Sequence, residues 1–261
     1  MRSLSIAATG MLAQQLNVEV ISNNIANMNT TAYKRQRADF QDLLYQNIER
    51  VGATSADTGE IVPSGIQIGL GVKTGSVYRI AEQGNLINTG NDIDVAIQGQ
   101  GYFLINLPSG EDAYTRSGAL QLSASGVLVT SDGYVVSPSI TIPQDAESVT
   151  INTTGEIQVS LSNTVAPSIV GQMQLSTFFN PAGLEAIGGN LFVETPASGS
   201  PSSGTPGSTG FGTILQGFLE TSNVNPVNEI TSLITAQRAY EMNSKVIQAS
   251  DEMLSVASNL R

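Results

Sequence analysis

The residue types that usually perform chemistry are absent from this chain or stand at spacings that chemistry does not use. The chain contains no Cys, no His and no Trp. Without Cys there is no disulfide framework and no thiolate. Without His the commonest general base and metal ligand are both missing. Serine–histidine triads, cysteine–histidine dyads and ordinary zinc sites are excluded together. Gly69-Leu70-Gly71 and Gly99-Gln100-Gly101 lack the rest of a dinucleotide fingerprint, and Val72 stands before Lys73-Thr74 where a phosphate loop needs glycine. Asp92 and Asp94 lack the further ligands of a calcium loop and read instead as shaping a turn before a strand. Folding can bring any two carboxylates together for hydrolysis, but no spacing singles out a pair. The chain reads as a non-enzyme without cofactor or metal.

Charge excludes another class of partner. The net charge is −11, and the Lys and Arg residues number only 11 across 261 positions. Binding to a phosphate backbone or an anionic membrane surface draws on clustered cations, so neither nucleic acid nor such a surface is an expected partner, and direct membrane insertion is not expected either. Hydrophobic residues make up 40% and charged residues 13%, a balance that favours a folded chain over a disordered one. No apolar run approaches the roughly 18 residues that span a bilayer. Arg2 followed by Leu4 to Ala13 imitates a short signal peptide. Thr9 and Gly10 interrupt that run, and the same helical period continues to Ile25. The segment is therefore expected to stay, with any export by a route that keeps the N-terminus.

Periodicity divides the chain into two helical ends and a β-rich middle. Leu4, Met11, Val18 and Ile25 recur every seven residues, as do Leu233, Tyr240, Ile247 and Leu254, with Ile230 widening the second stripe. Each is a helix with a narrow apolar seam. Asn225 can cap the second helix, Pro226 suits its first position, and Glu229 lies in its first turn. From Arg79 to Val193 the period falls to two, with turns at Ala124-Ser125-Gly126 and Ser131-Asp132-Gly133. Gly171, Met173, Leu175 and Thr177 read as one face of a single strand. Gly52 to Gly75 and Thr195 to Gly212 read as irregular, the second as an exposed or flexible loop. The expected fold is α+β: a mainly antiparallel β domain flanked by terminal helices that pair as a coiled coil.

Four seam residues per helix cannot order some thirty residues. Each contributes about 1.5–3 kcal/mol on burial, against about 1–2 kcal/mol of backbone entropy for every residue fixed. Two arrangements meet the deficit: docking on the chain's own β domain, or packing by further copies. The scarcity of charge on the first helix, with Ser, Gln, Asn and Ala on its other faces, suits contact with neighbours on several sides.

The motifs add a resemblance. Thr9-Gly10-Met11, then Ile21-Ser22-Asn23-Asn24-Ile25-Ala26-Asn27 and Asn29-Thr30-Thr31-Ala32-Tyr33-Lys34, resemble the N-terminal signature of the bacterial flagellar rod and hook axial proteins. Asp92-Ile93-Asp94-Val95-Ala96-Ile97 with Gly99-Gln100-Gly101-Tyr102-Phe103 is similar to the central motif of that family. Thr221 to Asn225 and Gln237-Arg238-Ala239-Tyr240-Glu241-Met242-Asn243-Ser244-Lys245 are similar to its C-terminal signature. The resemblance covers nearly the whole chain. Arg2-Ser3-Leu4, Phe40 to Gln46 and Ser64 to Gly69 favour a distal-rod member, with a proximal rod or hook protein as the alternative. Ala32 stands where the family usually has Gly, and Pro226 is unusual beside the family's Asn-Val-Asn pattern.

The resemblance implies a polymer, a rigid hollow helical drive shaft that carries motor torque to the hook and serves as an export channel. Its implied partners are copies of itself, proximal rod proteins and hook protein at its two ends, surrounding ring and bushing proteins, and the flagellar type III export apparatus. The implied place is the basal body, across the periplasm. The implied organisation is an inner coiled coil from residues 1–32 and 225–261, an extended bracing segment at 33–74 and an outer β domain at 75–224. Gln46 to Ile68 would keep the tube straight. The helix seams named above would face other subunits, and Asn23, Asn24, Ala26, Asn27, Asp94, Gly99, Gly101, Arg238, Ala239 and Tyr240 carry the family motifs.

Overall fold

A computed structural model describes residues 2–49, 65–161 and 166–259. They form two compact units, one drawn from 1–26, 36–79 and 225–261 and the other from 27–35 and 80–224. The architecture has the expected α+β class, with a helix at each end and antiparallel strands between them.

In the first unit, α1 spans Arg2–Ala26 and α2 spans Pro226–Asn259. The start of α2 is fixed by its sequence. The Asn225 side-chain oxygen accepts from the backbone N–H groups of Val227 at 3.1 Å and Asn228 at 3.3 Å, which satisfies donors that have no intrahelical partner. The helices pair antiparallel. Ser3 meets Ser250, Gly10 lies against Asn243, and Asn24 meets Glu229. Seven residues forward on one helix thus correspond to seven back on the other. Gly10 permits this approach, since a Cβ there would come within 2.9 Å of the Asn243 amide nitrogen.

The strands of this unit form two antiparallel pairs. Gln36–Asp42 pairs with Val72–Arg79, with a bulge at Asp39/Phe40, and Tyr45–Glu49 pairs with Ile66–Gly69. The stretch expected to be irregular from Gly52 to Gly75 therefore contains strands from Ile66 onward. Pairing with Gln36–Asp42 gives Val72–Arg79 a ladder that the Lys73-Thr74-Gly75-Ser76 run inside it does not advertise. The remainder of that stretch, and most of Gln46 to Ile68, lies outside the described residues. Gly71 passes α1 at φ +119°, where a Cβ would overlap the Thr9 hydroxyl, and the Val72 N–H donates to that hydroxyl at 3.4 Å.

The second unit is built on nine described antiparallel strands. Their path runs from Glu185–Gly188 through Leu191–Val193, Asp112–Thr115, Tyr102–Asn106, Val135–Ser137 and Leu128–Thr130 to Leu120–Leu122. Leu175–Thr177 and Ser202–Gly204 add on beside Tyr102–Asn106. A three-stranded sheet joins Ala146–Ile151, Glu156–Leu161 and Ser168–Gln172. Phe103, Ile105, Val95, Ile97, Ile157, Val159, Leu175 and Ile214 are wholly buried and form its core. A smaller aromatic cluster packs Tyr114 edge-on against Phe178, ring centroids 4.7 Å apart.

Two sequence expectations are corrected here. The single strand read through Gly171 to Thr177 is two strands, broken at Met173, whose N–H turns to donate to the Gly155 carbonyl at 2.7 Å. The Thr195–Gly212 stretch is not merely exposed loop. Ser202–Gly204 pairs with Leu175–Thr177, and buried Ser198 ties the preceding turn, its hydroxyl accepting from the Thr195 N–H at 3.0 Å. Backbone and hydroxyl hydrogen bonds organise a segment whose side chains carry no apolar pattern.

Candidate functional site

The nearest contacts of the terminal helices are small and polar, Ser3 with Ser250, Gly10 with Asn243 and Asn24 with Glu229. The buried positions of α1 are Ala7, Ala13, Val20, Ile21 and Asn24, and those of α2 include Glu229, Ala236 and Ser250. Leu4, Met11, Val18 and Ile25 are each half-buried, as are Leu233 and Ile247. Ile230 keeps 49% of its surface exposed, Tyr240 43% and Leu254 36%. The outer side of α2 exposes still more apolar surface at Val227, Ile234, Met242, Val246, Met253 and Val256. So many large apolar side chains left in water contact along one helix form a surface that monomers rarely keep.

Asn24 is the polar anchor of this unit. Wholly buried, it donates to the Gln36 carbonyl at 2.8 Å and to Glu229 at 3.1 Å, and accepts from the Gln36 N–H at 2.9 Å. One side chain thus ties the end of α1 to the start of a strand and to the first turn of α2. Asn23 and Ala26 lie on the exposed side. Asn27 follows the helix end, where its side-chain oxygen accepts from the Thr30 hydroxyl at 3.1 Å. Arg238 is exposed and Ala239 half-buried.

In the second unit the central-motif residues surround a buried ion cluster that the sequence reading missed. Glu220 accepts from Lys34 at 2.5 Å, from Arg116 at 2.6 Å and from the Gly84 N–H at 2.8 Å. All three side chains are buried. Lys34 also donates to the Glu82 carbonyl at 2.7 Å, and Arg116 to the carbonyls of Gly99 at 2.5 Å and Gly101 at 2.9 Å. Gly99 and Gly101 therefore serve as acceptors held at positive φ, +109° and +145°, and not as a phosphate cradle. Burial pushes the Lys34 ammonium below its ordinary 10.5, while Glu220 pulls it back up. The available signal was a charge inside an apolar strand, Glu220 after Phe218-Leu219 and Arg116 after Ala113-Tyr114-Thr115, in a chain this poor in charge.

Two more motif residues organise backbone. Asp94 accepts from Thr89 at 2.7 Å and Asn91 at 3.1 Å and closes the turn before Val95–Gln98. Asn223 donates to the carbonyls of Ile80 and Glu82 and accepts from the Arg35 N–H at 2.7 Å. Ala32 takes positive φ, +57°, with its N–H donating to the Glu220 carbonyl at 2.8 Å. The backbone here keeps the conformation that glycine favours, although Ala occupies it.

This polar inventory is spent on holding elements together. Among the described residues no cluster of three or more Asp or Glu is placed to hold a metal, and no helix is long and apolar enough to cross a membrane. Paired terminal helices with exposed apolar rows define the class of a structural subunit. Comparison with known proteins makes this specific. Residues 4–34 match the flagella basal body rod protein family, 96–159 the flagellar hook protein FlgE/F/G D1 domain and 215–260 the flagellar basal body rod FlgEFG protein C-terminal family. The chain is 60% identical to the flagellar basal-body rod protein FlgG of Caulobacter vibrioides over 261 residues, all of both chains. It is 54% identical to that of Agrobacterium fabrum, over 99% of this chain and 98% of the relative. It is 48% identical to that of Borreliella burgdorferi, over 100% and 99%. The chain belongs to the flagellar basal-body rod protein family.

Proposed function

We propose that this protein is a structural subunit of the flagellar distal rod, polymerising into a straight hollow shaft that transmits torque to the hook and passes exported subunits. The uncovered apolar rows of α2 carry this reading. A monomer leaves Met242 61% and Val246 47% exposed, and fully covering such a side chain contributes about 1.5–3 kcal/mol. A neighbour that covers several of them on each copy supplies enough to order the helices and hold the tube. Copies stacked head to tail on unlike surfaces form a helical filament and not a closed ring. Proximal rod and hook proteins contact the two ends of the shaft, ring proteins surround it, and the type III export apparatus delivers the chain. Residues 33–74 brace adjacent copies, the terminal helices form the inner layer and the β domain the outer.

The test replaces Met242 and Val246 with Asp in a strain lacking its own copy. Both side chains keep about half or more of their surface in water, so the monomer should still fold. Electron micrographs of isolated basal bodies should show loss of the distal shaft and of swimming. Normal rods in that variant would refute the covering argument.

A further inference from the structure

The helix pair of the first unit carries two charged features with the same spacing. Between α1 and α2 lies a groove of about 360 Å³ lined by Gln15, Val18, Glu19, Gln237, Tyr240 and Glu241. It presents apolar surface from Val18 and Tyr240 together with two carboxylates. The antiparallel register fixed by Ser3–Ser250, Gly10–Asn243 and Asn24–Glu229 sets Glu19 level with Ile234, seven residues from Glu241. At about 1.5 Å per residue the two acidic positions lie about 10.5 Å apart along the axis.

Arg238 and Lys245 are also seven residues apart on α2, and so about 10.5 Å apart. At about 100° per residue they fall on the face opposite Ala236 and Asn243, turned away from α1. Both are exposed, and among the described residues neither has an ion-pair or hydrogen-bonding partner. Even Glu241 and Lys245, four apart on one helix and well placed to pair, do not form an ion pair.

Building on the polymer proposed above, we infer that the Arg238–Lys245 ridge of one copy seats in the Glu19–Glu241 groove of a neighbouring copy. All copies in a helical tube point the same way, so neighbouring α2 helices run in the same sense. Arg238 then meets Glu19 and Lys245 meets Glu241 at one common offset of four residues, about 6 Å. Ridge and groove are different surfaces, so the contact is heterologous and propagates. Matched spacing of opposite charges sets the axial register between copies, a role that charge complementarity serves well. The exposed apolar side chains beside the ridge supply contact area.

The natural absence of Cys permits a direct test. Copies carrying Glu19→Cys are co-expressed with copies carrying Arg238→Cys, and isolated basal bodies are treated with a short bismaleimide. A cross-linked dimer is expected at least five-fold above that from Glu19→Cys with Lys245→Cys, whose sites lie a further two turns apart. In parallel, Glu19→Arg with Glu241→Arg, and Arg238→Glu with Lys245→Glu, should each cut complete rods at least ten-fold. All four changes together should restore them to within two-fold. Wild-type rod numbers in both charge-reversed variants, or equal cross-linking at 238 and 245, would overturn the docking while leaving the rod assignment standing. A strain without the gene that still builds complete rods would overturn the rod assignment and the docking with it.

Discussion

Replacing Glu220 with Gln should destabilise the second unit by about 3–5 kcal/mol, the cost of leaving buried charge without its partner. The hydrogen-bond geometry gives an overlapping figure, about 3–6 kcal/mol. The carboxylate accepts two hydrogen bonds from cations, Lys34 at 2.5 Å and Arg116 at 2.6 Å, and bonds to charged groups contribute about 1.5–3 kcal/mol each. The amide can keep one acceptor, but its NH2 must then face a second donor. Thermal unfolding followed by near-UV circular dichroism reports Tyr114, Tyr102 and Phe178 in this unit. At about 2–4 °C per kcal/mol the midpoint should fall by about 6–20 °C. The loss should also depend on pH. Without Glu220 nothing opposes the burial that pushes Lys34 below 10.5. The unfolded chain then binds more protons than the folded one between the lowered value and 10.5, so the variant's stability rises with pH through that window. Wild type gains less there because Glu220 pulls the folded Lys34 value part of the way back toward 10.5, and the deficit should narrow as pH approaches 10.5. A loss below about 1 kcal/mol, or a deficit that widens with pH, would refute the view that Glu220 is the charge centre of this unit.

Asn24→Ala should cost the first unit about 2–3 kcal/mol, because it orphans both backbone groups of Gln36 inside the fold; chemical denaturation followed by the helical far-UV signal measures it, and a change under about 0.5 kcal/mol would count against the anchor role. Tyr114 is raised above 10.0 by burial, with Asp112 and Glu194 adding to it. It contributes stability that is complete below pH 10.0 and is lost as pH rises through the higher folded value. Tyr114→Phe should therefore flatten stability against pH above 10, and an unchanged alkaline slope would contradict the assignment.

The two terminal helices were legible because a seven-residue apolar recurrence admits few other structures. Their contact surface was less so. Periodicity draws the eye to Leu4, Met11, Val18 and Ile25, while the closest approach runs through Ser3, Gly10 and Asn24 against Ser250, Asn243 and Glu229. Close helix contact selects small side chains and specific polar pairs, and neither registers as hydrophobic. The alternating strand Glu156–Leu161 was readable for the complementary reason, since Ile157 and Val159 enter the core, whereas in Leu120–Leu122 only Leu120 does so and Leu122 stays exposed. Lys34, Arg116 and Glu220 were invisible as a cluster because they lie far apart in sequence and join only when strand Phe218–Glu220 pairs with Leu86–Asn88. The order in Thr195–Gly212 was hidden for a third reason: its stabilisation lies in backbone and hydroxyl bonds that composition does not encode.

A seam of Ser, Gly, Ala and Asn also has a consequence for assembly. Apolar burial is non-directional and would let long helices slide or choose other partners, whereas Asn24, bonded at three points and wholly buried, accepts only one register. The pair is therefore specified more strongly than it is stabilised. Several large apolar side chains of α2, Met242, Val246 and Met253 among them, remain exposed. Had those side chains filled the seam, the monomer would have satisfied itself and little would remain to drive addition of a neighbour. In the rod proposed above, a polar register inside the pair and exposed apolar side chains on α2 together tie stable ordering of the helices to the growing end. On that proposal, the helices become rigid only where a neighbouring copy covers them.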